Sequence, residues 1–254
     1  MVMRVLRHSA LVAFLASATF GSSVSVVLAQ TAQIQLPPAL QASVQSGNAQ
    51  AIQQAIMTLS AGNPTQAANL AAAVVARAEQ LLATNPQAAV AAAGAALDVV
   101  AALPVQTAGP QATLTTVTTA ARIFAAPQAQ QVAPQEVAQN TVKATQIVAN
   151  PTVYSASPQA AIQAMSALYG VAQSAVLLAN VPNLQANVVQ LLSTASQSNA
   201  LNSANAANNA QIQQILAQGG DDVRRNLNDG ATGAINPSES PLRIETERNQ
   251  ASPT

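Results

Sequence analysis

Apolar residues recur at steps of three and four along most of this chain. Leu70, Val74, Ala78 and Leu81 form one such row, Val90, Ala93, Leu97 and Val100 a second, and Leu114, Val117, Ala121 and Phe124 a third. Val137, Thr141, Ala144 and Val148 follow, then Ile162, Met165, Tyr169, Ala172 and Val176, then Leu184, Val188, Leu191 and Ala195. This is the spacing of one face of a 3.6-residue helix and differs from the strict alternation of a half-buried strand. Ile52, Ile56 and Leu59 predict a shorter helix upstream, and Ile212, Ile215 and Leu216 a last one. The expected fold is all-α, with about eight helices of short to medium length.

Prolines punctuate the pattern. Pro86, Pro110, Pro134, Pro158 and Pro182 stand 24 residues apart (110 − 86, and so on), four of them followed by glutamine and the last by Asn183. Pro64 starts one further unit, 22 residues before Pro86. Self-similarity at a fixed period is the mark of a repeat architecture. Proline suits the first helical position, where its missing N–H would have no partner anyway. Asn63, Asn85 and Ser157 precede three of these prolines and are good N-caps, whereas Ala133 and Val181 are poor ones. Pro104, Pro127 and Pro151 read as helix stops. A helix of ~16 residues is about 24 Å long, and the ~7 residues left in each unit reach about 23 Å if extended. Short connections favour antiparallel neighbours, so the helices are expected to form an αα-hairpin repeat or helical bundle.

The two ends differ from this body. Arg4 and Arg7 precede a short apolar run over residues 9–20, and Val27-Leu28-Ala29 offers a small residue for cleavage. Residues 1–29 therefore read as a secretory signal peptide. The run falls well short of the ~20 residues that span a bilayer. Residues 30–47, with Pro37 and Pro38, read as an extended leader. The helical repeat domain occupies residues 48–217. From 218 onward Gly219-Gly220, scattered charges and prolines, and the absence of apolar periodicity predict a disordered polar tail. The protein is expected to be exported, periplasmic or extracellular, and bacterial.

Composition narrows the function more than it defines it. The chain has no cysteine, and its one histidine, His8, lies in the expected signal. Between residues 30 and 218 the charged side chains are Arg77, Glu79, Asp98, Arg122, Glu136 and Lys143, three of each sign. There is no basic stripe to neutralise phosphates, so nucleic acid is not an expected partner. A helix on a lipid surface depends on a strongly charged polar face; here that face is Gln, Asn, Thr and Ser, and no stable membrane span is expected after signal cleavage. Disulfides, which often brace exported domains, are also excluded.

Candidate chemistry is sparse. Asp98 and Glu136 are the carboxylates that would have to meet for acid–base work, yet they sit in separate units with no supporting group. Arg77 and Glu79, two apart, do not share a helix face. The threonines at 113, 115, 116, 118 and 119 read as a solvent-facing set. Tyr169 belongs to an apolar row and to the core. Tyr154, in the loop-like stretch NPTVYSAS, is the one candidate for touching a partner. No catalytic, cofactor-binding or metal-binding residue is expected, and no cofactor. The reading is an exported, non-enzymatic structural or protein-interaction protein, with itself or another envelope protein as partner. The alternative is a binding module for a small or polymeric ligand, held in a groove lined by amides and Tyr154.

Overall fold

The computed structural model describes residues 36–218. The expected signal peptide and the expected disordered tail beyond residue 218 lie outside the described residues. Within them the chain forms fourteen α-helices and no strand. Three lead: α1 (Pro38–Ser46), α2 (Ala49–Ser60) and α3 (Pro64–Leu81). Long and short helices then alternate: α4 (Pro86–Val100), α5 (Leu103–Ala108), α6 (Pro110–Ala125), α7 (Pro127–Val132), α8 (Pro134–Val148), α9 (Pro151–Ala156), α10 (Pro158–Ala172), α11 (Ala175–Asn180), α12 (Leu184–Ser196), α13 (Asn199–Ala204) and α14 (Asn208–Gln218).

The all-α class holds, but fourteen helices stand where about eight were expected; the prolines at 104, 127 and 151 open three of the additional ones. Each stands in the first two positions of a six-residue helix, α5, α7 or α9. Proline just past one helix and proline just inside the next look alike in sequence. The segments expected to be short connections between helices are thus themselves helical. The leader changes in the same way. Pro38 opens α1, whose Leu40 and Val44, one turn apart, are fully buried. Gly47 ends α1 at φ +68°, and its N–H bonds back into the helix on the Val44 carbonyl at 3.2 Å. A left-handed residue at this position is the usual way a helix closes its last carbonyls.

Capping follows side-chain chemistry where it can. The amide oxygens of Asn48, Asn63 and Asn85 accept from the N–H groups of Ala51, Gln66 and Ala88 at 3.0–3.1 Å. Ser157 makes no such bond at the start of α10, although its type suits the role. At Pro182 the helix begins late, at Leu184, whose N–H closes a turn on the Val181 carbonyl at 3.1 Å.

The packing is local and regular. α4 packs on α6 and α8, α6 on α8 and α10, α8 on α10 and α12, and α10 on α12 and α14. At the start, α3 packs on α4 and α6, and α2 on α3 and α4. The short helices follow suit: α5 meets α9, α9 meets α13, and α7 meets α11. Alanine dominates the interior, as in the run Ala88, Ala89, Ala92, Ala93, Ala95 and Ala96 of α4. Small side chains let helix axes draw close. Gly94 of α4 is an extreme case: a Cβ there would lie 2.6 Å from the Asn140 amide of α8.

Candidate functional site

Polar side chains join helices that are not consecutive. The Gln53 amide of α2 donates to Asp98 of α4 at 2.8 Å, and Lys143 of α8 donates to the other oxygen of the same carboxylate. Gln53, Asp98 and Lys143 therefore form one row across three helices, with equal steps of 45 residues. Arg122 of α6 holds Glu79 of α3 with two bonds, Nε–Oε1 at 2.7 Å and Nη2–Oε2 at 3.1 Å. The hydrogen bonds it donates to Glu79, working against partial burial, raise the Arg122 guanidinium above its ordinary value. Gln111 donates to the Ala156 carbonyl at 2.6 Å, and the Ser174 hydroxyl donates to Gln130. The residues so joined are 43 to 45 apart.

Asp98 is engaged by Lys143 and Gln53, and Glu136 stands exposed in the first turn of α8, where the helix dipole favours it. Arg77 bonds Gln80 at 2.6 Å, while Glu79 turns to Arg122. Both members of the Glu79–Arg122 pair keep more than a third of their side-chain surface, 35% and 39%. Solvent screening therefore holds its value to about 0.2–1 kcal/mol. A double-mutant cycle with Glu79→Gln and Arg122→Gln should return a coupling in that range that shrinks with added salt.

The short helices carry a second polar pattern that the sequence reading missed. The fourth residue of α5, α7 and α13 is Gln106, Gln130 or Asn202, and each amide reaches back to a carbonyl at the end of the preceding long helix. Their partners are the carbonyls of Ala101 (3.0 Å), Phe124 (2.8 Å) and Ser196 (3.2 Å). Helix ends leave such carbonyls unpaired, so α5, α7 and α13 each cap the long helix before them. The signal was present in the spacing of these amides: Gln106 and Gln130 are 24 apart, and Asn202 falls on the same register.

Tyr154 occupies this same position in α9, which corrects its placement in a loop. Its ring is fully buried, so it offers no surface to a partner. Its hydroxyl has no hydrogen-bond partner among the described residues, although the Asn205 side chain is near enough to influence it. Burial pushes the phenol above its ordinary value of 10.0, and Asn205 acts in the opposite sense. A buried hydroxyl without a partner is a net cost. Tyr154→Phe is thus expected to leave the fold as stable at pH 7 or up to about 1 kcal/mol more so. Because the folded state favours the neutral phenol, its contribution is complete below the unfolded value near 10 and is lost as pH rises through the raised folded one. Alkaline titration of unfolding should show this loss in the natural chain and a smaller one in Tyr154→Phe. The same alkaline profile in both would remove Tyr154 as its source.

Tyr169 is 5% exposed and packs in the core, with its hydroxyl 3.5 Å from the Leu216 carbonyl. Three of the five threonines depart from the solvent-facing expectation, while Thr115 is exposed. Thr113 and Thr116 are fully buried and Thr119 nearly so. Thr116 bonds the Ala112 carbonyl four residues back at 2.9 Å, as Thr141 and Thr145 do with Val137 and Thr141. Satisfied in this way, these three fill the interior much as valine would, whereas the buried Thr113 hydroxyl has no partner among the described residues. Among the described residues no group of three or more His, Cys, Asp or Glu side chains is placed to hold a metal ion, and no helix is long and apolar enough to cross a membrane. The sequence matches no family model and no curated protein, and the fold matches no solved structure.

Proposed function

We propose that this is an exported, non-enzymatic structural or protein-interaction protein, built as a stacked array of helical repeats. In this reading each 24-residue unit is a long helix plus the short helix that follows it, and successive long helices run antiparallel as hairpins. The observation that carries it is the set of side-chain bonds at a nearly constant separation of 43 to 45 residues, just under two units. Such bonds fit a stack in which each long helix lies beside the second one along the chain. Two of the three carboxylates between residues 30 and 218, Glu79 and Asp98, are held in ion pairs within this stack. That favours a scaffold role over a catalytic one. The groove reading for a small or polymeric ligand loses its main anchor, because Tyr154 lies in the interior.

Cross-linking in intact cells, followed by fractionation and mass spectrometry, tests the proposal. The expected result is an exported protein that gives discrete adducts with itself or with one envelope protein. A cytoplasmic protein, or an exported one that gives no adduct at any linker length, would overturn it.

A further inference from the structure

We propose that the two ends of the helical array dock on each other in successive copies of the chain, head to tail, so that the array continues from one molecule into the next. This rests on the stacked-repeat reading above and names the partner: a second copy of this chain.

Three observations lead there. The first is where charge is missing. All six charged side chains of the described body lie between Arg77 and Lys143, and none occurs over residues 36–76 or 144–218. The helices at the two ends of the packing order, α1–α2 and α9–α14, are therefore free of charge. Lack of charge removes the repulsion that usually keeps the surfaces of copies apart.

The second is the composition of the end faces. On α2 the exposed residues Gln50, Gln54, Met57 and Thr58 share one side, at helical spacing. Met57 is 69% exposed, more than any other large apolar side chain of the described body. On α14 the exposed side is Asn209, Ala210, Gln213 and Gln214. Terminal repeats of a solenoid need a polar outer face to stay soluble; among the described residues both end faces are polar but carry no charge, and Met57 lies exposed on one of them.

The third is continuity with the contacts inside the molecule. Adjoining layers are fastened by glutamine side chains, with Gln53 on Asp98, Gln111 on the Ala156 carbonyl and Gln130 under the Ser174 hydroxyl. Both outer faces present the same amide chemistry. The α2 side and the α14 side differ from one another, so a contact between them joins unlike surfaces. Contacts of that kind propagate into rings or filaments instead of closing as a two-fold pair.

The test uses the full chain and two double variants, followed by light scattering across a wide concentration range. One variant blocks the α2 face (Gln54→Lys with Met57→Lys), the other the α14 face (Ala210→Lys with Gln214→Lys). All four positions are exposed, so helicity should stay unchanged by circular dichroism; if a lysine pair fails to fold, the corresponding glutamate pair replaces it. The natural chain is expected to gain mass with concentration, and each variant alone to remain a monomer. Mixed in equal amounts, the variants should give a dimer and nothing larger, since one intact face of each kind remains. A natural chain that stays monomeric at every concentration would overturn the proposal. So would a single variant that dimerises by itself, which means like faces pair, or variants that both still grow, which means another surface is used. A monomer that still forms one adduct with a different envelope protein in cells would sink this proposal alone and leave the broader one standing.

Discussion

Phe124→Ala is expected to destabilise the fold by about 3–5 kcal/mol, a fall in Tm of roughly 10 °C or more for a domain of this size. Phe124 is fully buried in α6 and, with Tyr154, is among the largest side chains wholly removed from solvent. The loss belongs at the upper end of the range because of what the rest of the core is made of. A cavity is costly to the extent that its walls cannot move inward. Alanine has no side-chain rotamer with which to fill a void, and alanine is the main component of this interior. Denaturant unfolding checks the result: the midpoint should fall with little change in slope. Phe124→Leu, which keeps most of the volume, should lose well under half as much. A loss below about 1 kcal/mol for the alanine variant would show that the interior closes over the gap, contrary to tight packing around small side chains.

Gly47→Ala is the second large effect, at about 2–4 kcal/mol, and it has two separable parts. The left-handed backbone of Gly47 disfavours any side chain by about 1–2 kcal/mol. In addition, a Cβ there would sit 2.8 Å from the Ala88 Cα and 3.0 Å from the Ala88 Cβ. Neither atom can rotate away, so α1 would have to lift from α4, at the cost of a crowded core. Gly62 supplies the control. Its φ is +77°, yet nothing lies within 4 Å of a Cβ placed on it. Gly62→Ala should therefore show the backbone part alone. Equal losses at the two positions would mean that the approach to Ala88 relaxes freely.

Much of this fold is legible in the residues. The apolar rows gave the helical class, and Pro64, Pro86, Pro110, Pro134 and Pro158 each stand at the first residue of a helix. Pro182 does not: a turn closed by the Leu184 N–H on the Val181 carbonyl precedes α12 there. The six-residue helices escaped notice because a single turn and a half buries too few residues to show a period. α5 buries only Val105 and Gln106, and α7 only Ala129 and Gln130. The ion pairs were illegible for a different reason. Glu79 and Arg122 are 43 residues apart, and Asp98 and Lys143 are 45 apart. Nothing local in the sequence of either residue names its partner; only the packing order does. Tyr154 was misplaced because NPTVYSAS carries loop-forming residues at both ends, whereas Asn150 in fact caps α9 by accepting from the Thr152 N–H at 2.9 Å.

The reach of these side-chain bonds also bears on how the chain comes together. Every loop that must close to form them is of similar, moderate length, and the entropy of closure grows only slowly with length. No pairing has to wait for the far end of the chain, so the order of assembly is left to local strength. α3, α4 and α6, rich in buried small residues and packed on one another, are the natural nucleus. Amide protons there should exchange last with solvent, and those of α13 and α14 first, because an outer layer can open while its inner neighbours stay folded.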